Sequence, residues 1–184
     1  YALSEEEIAV TIGKVDEVVE IELVNYFIKG NIALTKVDED YPDNKLSGAV
    51  FEVYSDTNGD GKLDNDDTLL GEMKELDGGV YQMSELRYGK YLVKETKAPT
   101  GFVLDEDVYA VSIEENGKTY TVENKAGVGF INAAQKGSLK IVKTSSDGKV
   151  EGFSFRVTGV DYDQTFKTDK NGEIVIEGLR IGDY

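Results

Sequence analysis

The chain has no cysteine, no histidine and no tryptophan, and only 2 prolines in 184 residues. The lack of thiol and imidazole excludes cysteine or histidine catalysis and a zinc site of the usual kind. It also excludes disulfides as the staple of small domains, although it does not fix the redox compartment. No apolar run approaches membrane-spanning length. No signal peptide or sorting signal is visible, and the sequence starts and stops in mid-pattern, so it reads as a fragment of a longer protein. A net charge of -16 repels nucleic acid and anionic membrane, and neither is expected as a partner. For most of the carboxylates, solubility is reason enough.

What is present points to strands. Hydrophobic residues make up 40% of the chain, and 20 glycines punctuate it. Short alternating runs broken by Gly, Asn and Asp predominate, while helical periodicity is hard to find, which predicts an all-β protein. Strands are expected at Asn31–Val37, Ala49–Ser55, Thr68–Lys74, Gly79–Met83, Lys90–Thr96, Val108–Glu114, Thr119–Glu123 and Gly127–Asn132. Turn signals such as Asp77–Gly79, Glu115–Gly117 and Ala98–Gly101 separate most of them, and short strands at this spacing suggest a β-sandwich.

One strand carries a residue out of place. In "GNIALTKVD", Ile32, Leu34 and Lys36 share a face, so the lysine points inward if that face is the core. The pattern recurs in "GSLKIVKTS", where Leu139, Ile141 and Lys143 share a face. Lys143 lies 107 residues after Lys36, and Asn132 lies 107 after Asn25. A repeat of this period means tandem domains rather than a solenoid. Residues 30–136 hold one complete repeat. Residues 1–29 match the end of one, because "YALSEEEIAVTI" aligns with "FVLDEDVYAVSI". Residues 137–184 match the beginning, because "LRIGDY" aligns with "LRYGKY". The linkers are short, so a stiff array is expected, with neighbouring repeats of the same chain as each other's partners.

Two further polar residues sit on apolar faces. Asn132 shares a face with Phe130, and Glu95 shares one with Tyr91 and Val93. An amine buried beside a carboxyl and a carboxamide has a chemical logic. Burial lowers the amine pKa and raises the carboxyl pKa. A neutral Lys36 can then attack the carboxamide carbon of Asn132, while a protonated Glu95 polarises its oxygen and shuttles the proton. The product is an isopeptide crosslink between first and last strands. On the residues alone, a buried Lys36–Glu95 salt bridge hydrogen-bonded to Asn132 is an equal alternative.

Lys36, the second-strand "SGAVFEVY", the box "YLVKETKAPTGF" and Asn132 together resemble the Cna B-type domain of Gram-positive surface adhesins and SpaA-type pilins. The likeness covers the whole central repeat, with Phe102 where the family often has tyrosine. It implies tandem immunoglobulin-like, prealbumin-like β-sandwiches. By position it implies that Lys36 and Asn132 are the bonded pair and Glu95 the catalytic carboxyl. Asn25 and Lys143 lack the rest of the set in their own fragments and are expected to stay unreacted.

The acidic stretch "DTNGDGKLDNDD" has the spacing of an EF-hand-type calcium loop. Asp56, Asn58 and Asp60 stand at positions 1, 3 and 5, with Gly61 at the sharp turn. Lys62 would offer its backbone carbonyl and Asp64 takes position 9, but Asp67 stands where an EF-hand has glutamate. A solvated acidic turn is the alternative.

These readings converge on a structural stalk segment of an extracellular, cell-wall-attached adhesin or pilin. It is not a turnover enzyme, because the crosslink forms once. Contact with a host or matrix protein would come through other domains. A ligand-binding adhesin module and a transthyretin-like accessory domain of a secreted hydrolase are the alternatives.

Overall fold

The computed structural model describes residues 1, 7–159 and 161–184. Among these residues there is no helix. The strands are β1 (Lys29–Asp38), β2 (Val50–Ser55), β3 (Thr68–Glu72), β4 (Lys74–Glu75), β5 (Val80–Arg87), β6 (Gly89–Lys97), β7 (Val108–Ile113), β8 (Thr119–Thr121) and β9 (Phe130–Asn132). They are followed by β10 (Lys136–Val142), β11 (Ser154–Gly159), β12 (Tyr162–Lys167) and β13 (Glu173–Arg180).

Strands β1 to β9 form two sheets. One has the order β4-β5-β1-β8, with β9 also on β1, and the other runs β3-β2-β6-β7. The first strand is the axis of its sheet. It pairs antiparallel with β5 along one edge and parallel with β8 and then β9 along the other. The apolar faces meet in one core containing Ile32, Leu34, Phe51, Val53, Tyr81, Val93, Ile113 and Phe130. Phe51 sits edge-on to both Tyr81 and Phe130, with ring centroids 5.1 and 5.0 Å apart. Such aromatic pairs add about 0.5–1.5 kcal/mol beyond the area they bury.

Several elements differ from the sequence expectation, among them the last strand of the central repeat, expected from Gly127 but formed only from Phe130 after a turn at residues 126–128. The single strand expected over Thr68–Lys74 is split, because the chain changes sheets at Met73. Its first half pairs with β2 and its second with β5. Met73 is buried at the crossing and its amide donates to Phe51 O at 2.8 Å. The strand expected to end at Met83 continues to Arg87, with a bulge opposite Gly30–Ile32 and Glu85 at φ 61°.

Gly79 and Gly129 set the chain against β1. Gly79 has φ 80°, and a Cβ there would lie 2.8 Å from Leu46 O and 3.1 Å from Lys36 O. At Gly129, with φ 132°, a Cβ would lie 2.8 Å from Thr35 O. Only glycine allows this approach of backbone to backbone on either side of Lys36.

Residues 137–184 form two antiparallel pairs, β10 with β13 and β11 with β12. Val157, Ile174, Ile176 and Leu179 are their buried core. The late strands expected within residues 1–29 are not formed over residues 7–28, which leave Ile12, Val15, Val18 and Leu23 exposed. A strand needs a neighbouring ladder to satisfy its backbone, and among the described residues no strand pairs with residues 7–28. The part of that alignment on residues 2–6 lies outside the described residues.

Candidate functional site

Period-two alternation turns Lys36 into the core with Ile32 and Leu34, and its side chain is fully buried. The backbone holds it from both sides: Lys36 N donates to Gly79 O at 2.7 Å, and Lys36 O accepts from Leu46 N at 2.9 Å. Glu95 comes from β6 in the opposite sheet and is also fully buried, while Asn132 on β9 is 3% exposed. Three residues distant in sequence thus meet between the sheets.

Lys36 Nζ lies 3.6 Å from Glu95 Oε1 and donates to Phe130 O at 3.2 Å. It also stands 4.8 Å from the centroid of the Phe130 ring. Asn132 Nδ2 donates to both carboxyl oxygens of Glu95 at 3.0 Å. Its Oδ1 is buried without a hydrogen-bond partner among the described residues. Such an orphan acceptor costs about 1–3 kcal/mol. Turning the carboxamide over would bring Oδ1 to Glu95, where a protonated carboxyl could donate to it.

Burial moves both titratable groups toward neutrality. Desolvation pulls Lys36 down to about 8, against the opposing pull of the Glu95 and Asp105 charges. Desolvation likewise raises Glu95 above the usual carboxylate range. The Asp105 amide, the Lys36 charge and the Asn132 hydrogen bond oppose that rise without cancelling it. Moving one proton from Lys36 to Glu95 converts the ion pair into a neutral amine beside a neutral acid. In that neutral state the three side chains would bring a nucleophile, a proton donor and a carboxamide together in one buried pocket.

A supporting network was not picked out in the sequence. Asp105 N donates to Glu95 Oε2 at 2.9 Å. The Asp105 carboxylate accepts from Tyr109 Oη at 2.8 Å and Asn124 Nδ2 at 2.7 Å. Asn124 also grips β9, donating to Ile131 O at 2.9 Å and accepting from Ile131 N at 2.6 Å. Burial pushes Asp105 up, but hydrogen bonds from Asn124, the Asp107 amide and Tyr109 outweigh it and hold the group below its ordinary value. Asp105 sits in an acidic loop without alternation, so nothing local distinguished it from its solvated neighbours.

The loop after β2 is ordered by its own side chains. Asp56 accepts from the amides of Gly59 and Gly61, Asn58 from Asp60 N, and Asp60 from Lys62 N. Asn58 Nδ2 reaches Asp64 at 3.1 Å, and Asp67 accepts from the amides of Thr57 and Asp64. Lys90 places its ammonium 3.0 Å from Gly59 O. Among the described residues no three acidic side chains are gathered as a metal-binding group.

The unpaired repeat equivalents lie elsewhere. Asn25 is exposed. Lys143 donates to Thr144 O at 2.6 Å and stands over the Phe153 ring.

The central domain is thus an all-β sandwich with an inward lysine, glutamate and asparagine on three strands. A family model described as SpaA, prealbumin-like fold domain, matches residues 30–126 and 137–184, and the chain belongs to that family. No curated protein matches it. Among solved structures, the Bacillus anthracis TIE protein is 27% identical with a TM-score of 0.64, over 84% of this chain and 27% of that one. The major pilin subunit BcpA of Bacillus cereus is 28% identical, over 59% of this chain and 31% of that one, with a TM-score of 0.44. GBS52, the minor pilin of Streptococcus agalactiae, is 29% identical, over 59% and 46%, with a TM-score of 0.43. The chain spans about a quarter of the length of the TIE protein structure.

Proposed function

We propose that this chain is a segment of a structural stalk in an extracellular, cell-wall-attached pilin or adhesin of a Gram-positive bacterium. Its central domain is locked by an isopeptide bond between Lys36 and Asn132. The observation that carries this reading is the buried meeting of Lys36, Glu95 and Asn132, with an orphaned Asn132 Oδ1. Neutral Lys36 Nζ attacks Cγ of Asn132 while Glu95 protonates Oδ1. A proton then passes through Glu95 to the amide nitrogen, the old C–N bond breaks and ammonia leaves. One C–N bond forms, one breaks, and Glu95 ends as it began. The event happens once per molecule, so the domain is not a turnover enzyme.

The topology gives the bond a mechanical purpose. β1 and β9 are parallel neighbours, with Lys36 opposite Phe130 and Asp38 opposite Asn132. Tension entering at the start of β1 and leaving after β9 would pass through the amide and bypass residues 37–131. The organisation we propose is the tail of one repeat in residues 1–29, a whole repeat in 30–136 and the front of another in 137–184. Tyr1 stacked on Phe27 at 4.7 Å supports it, because their counterparts Phe102 and Ala134 form a β-bridge. We further propose that the loop of Asp56, Asn58, Asp60, Lys62, Asp64 and Asp67 binds calcium by turning its carboxylates from their own amides onto the ion.

Intact-mass measurement tests the bond. The purified chain should weigh less than its sequence by one ammonia, with the loss mapped to joined peptides containing Lys36 and Asn132. A full, unmodified mass would refute the proposal.

A further inference from the structure

The boundary between the central domain and residues 137–184 is held by an ionic fork. Arg180 Nη1 donates to Asp38 Oδ2 at 2.7 Å, and Nη2 donates to Asp38 Oδ1 at 2.9 Å and to Asp40 Oδ2 at 2.8 Å. Lys136 Nζ lies 3.1 Å from Asp40 Oδ2, and the guanidinium stands 4.8 Å from the Tyr41 ring. Asp38 is 2% exposed. The receptor turn is itself fixed. Asp38 N donates to Asn44 O, and Glu39 N to Asn132 O, both at 3.0 Å. Ile181 N completes the joint by donating to Gln135 O at 3.0 Å.

The donor half of this joint recurs at the other end of the central domain. Lys29 faces Arg87 as Lys136 faces Arg180, and Gly30 faces Leu86 as Gly137 faces Leu179, each followed by a register shift. Tyr88 N donates to Ile28 O at 2.9 Å, as Ile181 does to Gln135. Arg87 is exposed and lies 4.0 Å over the Phe27 ring.

We propose that the lysine–arginine pair at the entry of each repeat is a docking face for the two aspartates that follow the buried lysine of the preceding repeat. Arg87 and Lys29 take the acidic turn of an upstream repeat, as Arg180 and Lys136 take Asp38 and Asp40. The planar guanidinium matches a carboxylate bidentately, so the joint fixes orientation as well as contact. The third repeat carries Ser145 and Asp147 at the positions of Asp38 and Asp40. Its turn lacks the carboxylate that takes the fork, so the joint downstream of it is the looser one. This inference rests on the tandem-repeat reading and not on the crosslink.

Because the chain has no cysteine, spin labels can be placed on Lys97→Cys and Lys167→Cys, both exposed, and their separation read by pulsed electron resonance. The parent should give one narrow distance. Arg180→Ala and Asp38→Asn should lose it. Arg180→Lys, which keeps the charge without the fork, should lose it too. Intact mass of the same samples reports the crosslink separately, and the melting transition reports folding of the central domain. A narrow distance retained in folded Arg180→Ala overturns the joint. In the full-length protein, with one label on Lys97→Cys and one in the upstream repeat, Arg87→Ala should abolish the narrow distance. An unchanged distance there overturns the recurrence.

Discussion

Replacing Glu95 by glutamine keeps the volume and reach of the side chain but removes the proton that the proposed crosslinking requires. Lys36 and Asn132 remain buried, and the bond should not form. Two costs follow. The loop closed between residues 36 and 132 spans roughly 100 residues, and losing such a closure costs about 4.7 kcal/mol in the chain-entropy model. An unbonded Lys36 must also stay buried as an amine. Even with Glu95 present, its pKa falls from 10.5 to about 8, which at about 1.4 kcal/mol per unit is roughly 3 kcal/mol at neutral pH. The entropy term alone corresponds to a fall in melting temperature of roughly 20–35 °C for a domain of this size.

The pH dependence distinguishes the two states. An unbonded Lys36 binds a proton more weakly folded than unfolded. From below about 8, since Glu95→Gln removes the charge that holds Lys36 up to that value, to 10.5 the unfolded chain therefore holds the extra proton, and stability rises with pH. In the crosslinked domain Lys36 is an amide and contributes no such slope. Chemical unfolding of wild type and Glu95→Gln between pH 7 and 10.5, with intact mass recorded for each, measures both effects. The reasoning fails if Glu95→Gln still loses ammonia, or if it melts where the wild type does.

Crosslinking during refolding should proceed at a rate that is flat with pH between the two coupled titrations, because the ion pair and the reactive neutral pair hold the same number of protons. It should slow above about 8, as the pair loses its last proton, and slow again in acid, where Lys36 stays charged. Timed mass spectra after refolding read this profile. Asp105→Ala and Asn124→Ala should slow the reaction while leaving the final mass unchanged, since the Asp105 carboxylate holds Tyr109 and Asn124, and Asn124 in turn holds β9 in place. A rate equal to wild type in both would remove the network from the mechanism. Millimolar calcium should raise the melting temperature by mass action. Asp60→Ala should abolish this shift and Asp147→Ala should leave it intact, and calorimetry without binding heat would refute the calcium reading.

Alternation along each strand placed Lys36, Glu95 and Asn132 on the same faces as apolar residues, because a side chain's face is set by local geometry with a period of two; that those faces are the core was decided by the packing of the sheets. The all-β class followed from the same patterns and the glycine-rich turns. The repeat was legible because Lys36 and Lys143, and Asn25 and Asn132, keep a common interval. The meeting of the three residues is a different matter. It depends on β6 lying in the sheet opposite β1 and β9, an arrangement made by packing two apolar faces. The split of β3 from β4 at Met73 was invisible for the same reason, since a strand changing sheets keeps its local alternation. Asp105 acquired its place through Glu95, Tyr109 and Asn124, and Arg180 met Asp38 across 142 residues of sequence. Such polar partners carry no periodic signal. A carboxylate that pairs across the fold and one that only meets water look alike in sequence, and the closing of the sheets decides which is which.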